Sequence, residues 1–169
     1  MRARKARLSD VAAIHALIAS YAAQGILLPR TEENVREQIS NFFILEEKRQ
    51  LVACVSLENY GSDLAEIRSL AVSQEIRGQG LGGRLVEFVL AEARRKRIAR
   101  VFAVTHAPAF FLRQGFSASS RRDIPEKVER DCCTCPKARS CRLTAVIATV
   151  IPERVTLPIL DGIASQSLA

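Results

Sequence analysis

One stretch decides the fold: Arg77-Gly78-Gln79-Gly80-Leu81-Gly82-Gly83, which lies between a predicted strand at residues 64–72 and a predicted amphipathic helix. Apolar residues recur along that helix at helical spacing and predict one buried face: Leu81, Leu85, Phe88, Val89 and Ala93. Glycines let the backbone approach an anion closely, and the first N–H groups of the helix point at it. The stretch therefore predicts an anion-binding turn. A flexible turn without a ligand is the alternative.

The remaining pattern predicts a single α/β domain at residues 1–151, followed by a partly disordered tail at residues 152–169. Ser9 is predicted to cap a first helix that runs to about Ala23, and Thr31 to cap a second. Alternating apolar residues predict strands at residues 3–7, 42–46, 51–60, 101–105 and 142–151. A short helix is expected at residues 108–114.

Composition narrows the class of protein. The 169 residues carry a net charge of +7, which favours an anionic partner or serves solubility alone. No apolar run approaches the ~20 residues that span a bilayer. Basic residues before the apolar stretch at residues 11–23 resemble a secretory signal, but Asp10 and His15 favour a capped helix instead. The odd number of cysteines, five, and the lack of a convincing signal favour a reducing cytoplasm. Because no apolar run is long enough, we expect no membrane association.

The motif Arg77-x-x-Gly80-x-Gly82 resembles the cofactor motif of the GNAT acetyltransferase superfamily. The order of predicted elements is also similar, over residues 2–150. The resemblance implies an α/β (α+β) GNAT fold with a mixed, mostly antiparallel sheet flanked by helices, and acetyl-CoA as cosubstrate. It implies that the strand residues Leu70, Ala71 and Val72 contact the acetyl-pantetheine arm. It also implies that Arg77, Gly78, Gln79, Gly80, Leu81, Gly82 and Gly83 hold the pyrophosphate.

Glu66 is the candidate general base. Strict alternation would place Glu66, Arg68, Leu70 and Val72 on one face of the strand. Ala65-Glu66-Ile67 also resembles the strand of histone-acetylating GNAT members, whose glutamate accepts the proton of the amine. A salt bridge between Glu66 and a basic neighbour is the alternative.

The family's general acid is missing. Many GNAT enzymes have a tyrosine four residues before a Gly-Phe pair, and Phe111 occupies that position here, before Gly115-Phe116. Water, Tyr60 or Ser69 would then give a proton to the thiolate of CoA, the leaving group of acetyl transfer.

A finer resemblance concerns the acceptor. Several stretches resemble the short, stand-alone form of N-acetylglutamate synthase, among them Leu27-Leu28-Pro29-Arg30, residues 63–72, Ile124-Pro125-Glu126-Lys127-Val128 and Cys135-Pro136-Lys137. The resemblance implies acetylation of the α-amine of L-glutamate, the first step of arginine biosynthesis. The expected substrate ligands are Arg30 first, then Lys127, Arg68, Ser69 and Thr105, since basic side chains suit two carboxylates.

Alternatives stay open at this stage. A GNAT enzyme for another amine, an idle acyl-CoA-binding module and a nucleic-acid-binding protein are the rivals, although no nucleic-acid motif is present. Cys132, Cys133, Cys135 and Cys141 lack a full zinc-site spacing, so free thiols or a local disulfide are favoured over a structural metal. The sequence does not report the oligomeric state, and a homodimer stays open.

Overall fold

A seven-stranded sheet forms the centre of the computed structural model, which describes residues 1–135 and 138–150. The strands are β1 (Arg2–Lys5), β2 (Phe42–Glu47), β3 (Gln50–Asn59), β4 (Leu64–Val72), β5 (Arg100–Thr105), β6 (Ser117–Ser119) and β7 (Thr144–Thr149). They are ordered β1-β2-β3-β4-β5-β7-β6, with β4 and β5 parallel and the other neighbours antiparallel. The predicted mixed sheet is therefore confirmed. The expected tail at residues 152–169 and its boundary lie outside the described residues.

Helices cover both faces of the sheet. They are α1 (Val11–Ala22), α2 (Glu32–Glu37), α3 (Leu81–Arg95), α4 (Pro108–Leu112) and α5 (Pro125–Lys127), which continues into a π-helical turn, Val128–Cys132. Short 3₁₀ turns occupy Leu8–Asp10, Ile39–Asn41, Gln74–Ile76, Arg121–Asp123 and Ala138–Ser140. In the part of the chain that the structure describes, none of the helices is long and apolar enough to cross a membrane.

The two predicted helix caps have different outcomes. Thr31 caps α2, since its hydroxyl accepts a hydrogen bond from the Asn34 N–H at 3.1 Å. The Ser9 prediction is wrong, because residues Leu8–Asp10 form a 3₁₀ turn and α1 begins at Val11. The Asp10 carboxylate, held by Arg4 at 2.7 Å, accepts the first-turn hydrogen bond from the Arg7 N–H instead.

The core has two layers, one on each face of the sheet. On one face, the predicted stripe of α3 packs against β2–β5, with Leu81, Leu85, Val89 and Ala93 buried. Phe88 is only partly buried and contacts the ring of Phe43 edge-on. On the other face, α1 and α2 bury an apolar set against the sheet: Val11, Ile14, Ile18, Tyr21, Val35, Phe42, Ile44, Cys54 and Ala71.

The two central strands separate halfway along their length. Pairing between β4 and β5 covers Leu64↔Arg100 to Glu66↔Phe102, whereas β4 continues to Val72 and β5 to Thr105. Beyond the last pair, residues of both strands line one cavity. Backbone N–H and C=O groups on these edges need partners. The wedge, which is the gap between β4 and β5 beyond the pair Glu66↔Phe102, therefore offers a place where an extended ligand can add to the sheet.

Candidate active site

A cavity of about 1360 Å³ occupies the wedge and carries most of the predicted site. Its wall comes from the end of α1, from β4, from the glycine turn, from β5 and α4, and from the segment around α5 and the π-helical turn. Predicted site residues along it are Glu66, Arg68, Ser69, Leu70, Val72, Arg77, Gly78, Gly80, Leu81, Gly82, Gly83, Thr105 and Lys127. Three predicted residues do not line it: Arg30, Ala71 and Gln79. Ala71 is buried on the opposite face, against α1.

The glycine turn has the geometry that an anion needs. Gly78 and Gly80 have φ of +80° and +73°, a conformation that strains residues with a Cβ. Gly82 faces the Phe110 ring so closely that a Cβ would lie 3.3 Å from it. The following α3 is 15 residues long, and the residues of its first turn, whose N–H groups lack intrahelical acceptors, line the cavity. Arg77 is fixed beside the turn, because Tyr21 accepts its Nε–H at 2.7 Å.

A β-bulge in β4 overturns one expectation. Between Ser56↔Arg68 and Cys54↔Ala71, β4 contains one residue more than β3, and Ser69 has φ of +52°. The extra residue reverses the alternation of the side chains. Leu70 and Val72 pack toward α3, while Glu66 lies on the opposite face, where Tyr60 meets it. The predicted shared face is therefore wrong, although side chains from both faces line the cavity.

Glu66 lies in a buried polar cluster. Its side chain is 4% exposed, and its Oε2 accepts hydrogen bonds from Tyr60 at 2.7 Å and from Lys127 at 2.9 Å. Lys127 also pairs with Asp131, one turn further along. Arg68 lies 3.7 Å from the same Oε2. The ion pair weighed as the alternative for Glu66 is present, and its role as a base remains a prediction.

Arg30 belongs to a neighbouring cluster around Glu58. The guanidinium is 9% exposed and donates to Glu58 and, at 3.0 Å, to Ser69 Oγ. Arg68 and Arg130 meet the other oxygen of Glu58 at 2.9 and 3.1 Å. Burial alone would raise the pKa of Glu58, but Arg68 and Arg30 outweigh it and hold the pKa below its usual range. The ionised Glu58 carboxylate thus holds three guanidinium groups in place, those of Arg30, Arg68 and Arg130.

The side chains that could protonate the CoA thiolate differ in whether they line the cavity. Phe111 is buried in the core and supplies no proton. Burial and the charge of Glu66 raise the pKa of Tyr60, whose hydroxyl is held by Glu66 and Asp131 away from the cavity wall. Ser69 lines the cavity, and its oxygen is already an acceptor for Arg30. Thr105 also lines the cavity, and its Oγ1 accepts the Ala107 N–H at 2.9 Å.

The cysteines are all free thiols, and three of them line the cavity: Cys132, Cys135 and Cys141. Cys133 is exposed and donates to the Glu129 carbonyl. Among residues 1–135 and 138–150, no three histidine, cysteine or acidic side chains come together in a way that would hold a metal ion.

Among the polar wall residues that the sequence did not single out, Arg130 and Asp131 lie in the cluster around Glu66. Arg130 stacks on Tyr60, with its guanidinium carbon 3.9 Å from the ring centroid, and Asp131 accepts from Lys127. The available signal was the i, i+4 spacing of Lys127 and Asp131 together with a nearby arginine. The π-helical turn that aims them has no sequence signature of its own, although such turns recur at functional sites.

Comparison with known proteins identifies the family. The Acetyltransferase (GNAT) family matches residues 10–116. An uncharacterized N-acetyltransferase of Chlorobaculum tepidum is 40% identical over 147 residues, which are 87% of this chain and 95% of that protein. An amino-acid acetyltransferase of Mycobacterium tuberculosis is 35% identical over 133 residues, 77% of this chain and 76% of that one.

A solved structure with the same fold is N-acetylglutamate synthase from Neisseria gonorrhoeae, complexed with coenzyme A and N-acetyl-glutamate. It superposes with a TM-score of 0.81 at 31% identity, over 89% of this chain. This chain spans 35% of that longer enzyme's chain. These findings confirm the predicted fold, the acetyltransferase activity and acetyl-CoA as the cosubstrate. The chain belongs to the GNAT family of acetyltransferases.

Proposed function

We propose that this enzyme transfers the acetyl group of acetyl-CoA to the α-amine of L-glutamate, by direct attack in a ternary complex. The charge of the acceptor end of the cavity carries the proposal. Arg68, Lys127 and Arg130 line this end with Glu66 and Asp131, and Arg30 and Glu58 lie behind them, so four cations against three carboxylates leave one net positive charge. An acceptor with two carboxylates suits this set of donors, whereas a cationic amine would be repelled. The name of the gonococcal enzyme supports glutamate as the acceptor, and the name of the mycobacterial relative supports an amino acid.

The arginines that reach solvent are the strongest candidates for the substrate carboxylates. Arg68 and Arg130 side chains are 25% and 45% exposed, whereas Lys127 is 9% exposed and saturated by Glu66 and Asp131. The protein carboxylates keep Arg68 ionised, since Glu66 and Glu58 outweigh burial and raise its pKa. Arg30 and Lys127 stay predictions as direct ligands. The geometry supports positioning roles for them, Arg30 on Ser69 and Lys127 on Glu66.

Glu66 would accept the proton of the attacking amine. Within residues 1–135 and 138–150, its two hydrogen-bond donors both meet Oε2, which leaves Oε1 for the ammonium or for a bridging water. The amine nitrogen then forms a bond to the thioester carbon. The oxyanion of the tetrahedral intermediate would receive a hydrogen bond from a β4 backbone N–H at residues 70–72.

Collapse of the intermediate breaks the carbon–sulfur bond and releases CoA as a thiolate, which takes a proton. Ser69 is the side chain best placed to give it, because Arg30 occupies its acceptor side and the hydroxyl proton is left to point elsewhere. Water is the alternative donor. No proton transfer from Tyr60 is needed, and the tyrosine instead orients Glu66.

CoA release with a panel of amines tests the proposal. We expect turnover with L-glutamate, weaker turnover with L-glutamine, and none with a polyamine or a basic peptide N-terminus. Turnover with the other amines and none with L-glutamate would refute the glutamate assignment and leave the family assignment intact.

A variant sharpens the test. Arg130→Gln should raise KM for L-glutamate by about 10-fold to 100-fold, the worth of a hydrogen bond to a charged group, and leave KM for acetyl-CoA unchanged. Arg122→Gln, an exposed arginine off the cavity, is the matched control. An unchanged KM for L-glutamate in Arg130→Gln would count against the assigned subsite.

A further inference from the structure

A second cavity, of about 540 Å³, opens on the outer side of the glycine turn. It shares Gly80, Gly83, Arg113 and Gln114 with the main cavity, so the two cavities adjoin at the turn. In CoA the pyrophosphate joins the pantetheine arm to an adenosine that carries a 3′-phosphate. A cofactor whose arm lies in the wedge and whose pyrophosphate lies on the turn must leave the main cavity at this end.

Three arginines make this second cavity basic. Arg84 and Arg94 come from α3, and Arg113 follows α4, whereas Glu87 is the single acidic lining residue within the described part of the chain. Across residues 1–135 and 138–150, no carboxylate forms an ion pair with any of the three. Among the residues that the structure describes, the Arg84 side chain donates only to the weak acceptor Met1 Sδ, at 3.6 Å. These arginines differ from Arg68 and Arg130, which protein carboxylates already hold.

Packing brings two of the three together. The end of α4 lies directly on the first turn of α3, since a Cβ on Gly83 would meet Gln114 Oε1 at 2.9 Å. Arg84 follows Gly83 in the sequence, and Arg113 precedes Gln114. Arg94 lies ten residues further along α3, which at the helical rise is about 15 Å away. Arg84 and Arg113 line the second cavity next to the turn residues Gly80 and Gly83, whereas Arg94 lies too far along α3 to meet a phosphate there.

We infer that Arg84 and Arg113 bind the 3′-phosphate of CoA and make the enzyme discriminate against 3′-dephospho-CoA. A phosphate dianion accepts several hydrogen bonds, and guanidinium forks on two sides of it suit that geometry. The inference rests on the cofactor and is independent of the acceptor amine.

Calorimetric binding of CoA and of 3′-dephospho-CoA, without any acceptor, tests it. We expect the unmodified enzyme to bind CoA about 10-fold or more tightly than the dephospho form, as hydrogen bonds to charged groups predict. In the double variant Arg84→Gln/Arg113→Gln, the ratio of the two Kd values should fall close to one. Affinity for 3′-dephospho-CoA should not change, and this value also reports that the variant is folded.

Arg94→Gln is the matched control, because it removes the same charge from the same cavity and should keep the ratio. Equal Kd values for the two ligands in the unmodified enzyme would overturn the inference. A loss of discrimination in Arg94→Gln as large as in the double variant would also overturn it, since the effect would then be one of overall charge.

Discussion

Glu66 meets two donors on one oxygen, and this detail organises the chemistry at the scale of single residues. Tyr60 remains a neutral phenol, because burial and the charge of Glu66 raise its pKa. It therefore keeps the proton that it donates. Lys127 supplies the positive charge that a buried carboxylate requires, and Asp131 balances that lysine. The carboxylate is thus held in one orientation, and its second oxygen accepts no hydrogen bond from the residues that the structure describes.

Replacing this carboxylate tests its role. Glu66→Gln should lower kcat by about 100-fold to 10,000-fold, the usual worth of a general base, because the amide cannot take the proton. The Kd of CoA should stay unchanged, since Glu66 does not belong to the glycine turn. Steady-state kinetics and calorimetry measure the two quantities.

Glu129→Gln, an exposed residue of the π-helical turn, serves as the control for that experiment. A kcat in Glu66→Gln close to that of the control would show that Glu66 only maintains structure.

At the residue scale, the sequence predicted identities better than contacts. Glu66, Arg68 and Lys127 do meet at one end of the cavity. Arg30, the first choice as a substrate ligand, points to Glu58 and Ser69 instead. Arg30 lies in the loop before α2 and its partner Glu58 lies 28 positions away on β3, so no spacing rule connects them. Which cation faces a ligand and which faces a buried carboxylate is decided by tertiary packing.

Two local backbone features set the site at the scale of elements: the glycine turn before α3 and the bulge in β4. The turn was predictable, because positive φ favours glycine and the helix that follows is strongly amphipathic. The bulge was not, since Ser69 adopts positive φ although serine has no preference for it. Strict alternation therefore placed Leu70 and Val72 on the wrong face.

Gly80→Ala tests the turn. The substitution should destabilise the fold by about 1 kcal/mol, the cost of positive φ for a residue with a Cβ, and should weaken CoA binding because the strained turn shifts its N–H groups. Urea unfolding and calorimetry measure the two effects.

Gly115→Ala is matched to it, with φ of +85° and a position outside the cavity. The control should show the loss of stability alone. Equal CoA affinity in both variants would mean that the turn does not hold the cofactor.

Asp10 gives a pH-dependent prediction at the start of α1. The hydrogen bond from Arg4 holds the pKa of the Asp10 carboxyl below its usual value. A group with a lowered folded pKa stabilises the protein above its unfolded pKa, and this contribution disappears as the pH falls through the folded pKa. Asp10→Asn should thus cost about 1 kcal/mol in the free energy of unfolding at neutral pH, as for a lost charged cap.

Below pH 4 the difference between the two proteins should shrink. Urea titrations at several pH values measure it, with the exposed Asp63→Asn as control. A difference that stays constant down to pH 2 would contradict the assigned hydrogen bonds.

At the scale of the whole molecule, the arginines fall into two sets that differ in whether a protein carboxylate pairs with them. Net charge of +7 indicated an anionic partner without placing it. In the structure, arginines at the acceptor end are paired with buried carboxylates, whereas those on the outer side of the glycine turn have no carboxylate partner among the described residues. Composition favoured an anionic ligand and left open a basic surface that serves solubility alone. The positions of the two sets of arginines depend on the order of the strands and on the separation of β4 from β5, which composition does not report.

The order of the reaction is a property of the whole enzyme. Three free thiols line the cavity, so a covalent acetyl-cysteine intermediate is the chemical alternative to direct attack. Double-reciprocal plots of initial velocity against acetyl-CoA, each at a fixed L-glutamate concentration, should give lines that intersect. Cys132→Ser, Cys135→Ser and Cys141→Ser should each keep the unmodified kcat. Parallel plots, or an acetylated cysteine found by mass spectrometry, would exclude direct attack.

A crystal structure of the enzyme with CoA and L-glutamate would show which side chains meet the amine and the carboxylates of the acceptor. We predict that the amine of the bound glutamate lies within hydrogen-bond distance of Glu66 Oε1, and that its carboxylates meet Arg68 and Arg130. Glutamate bound with a carboxylate toward Glu66, or an acceptor end that stays empty at saturating glutamate, would contradict the account.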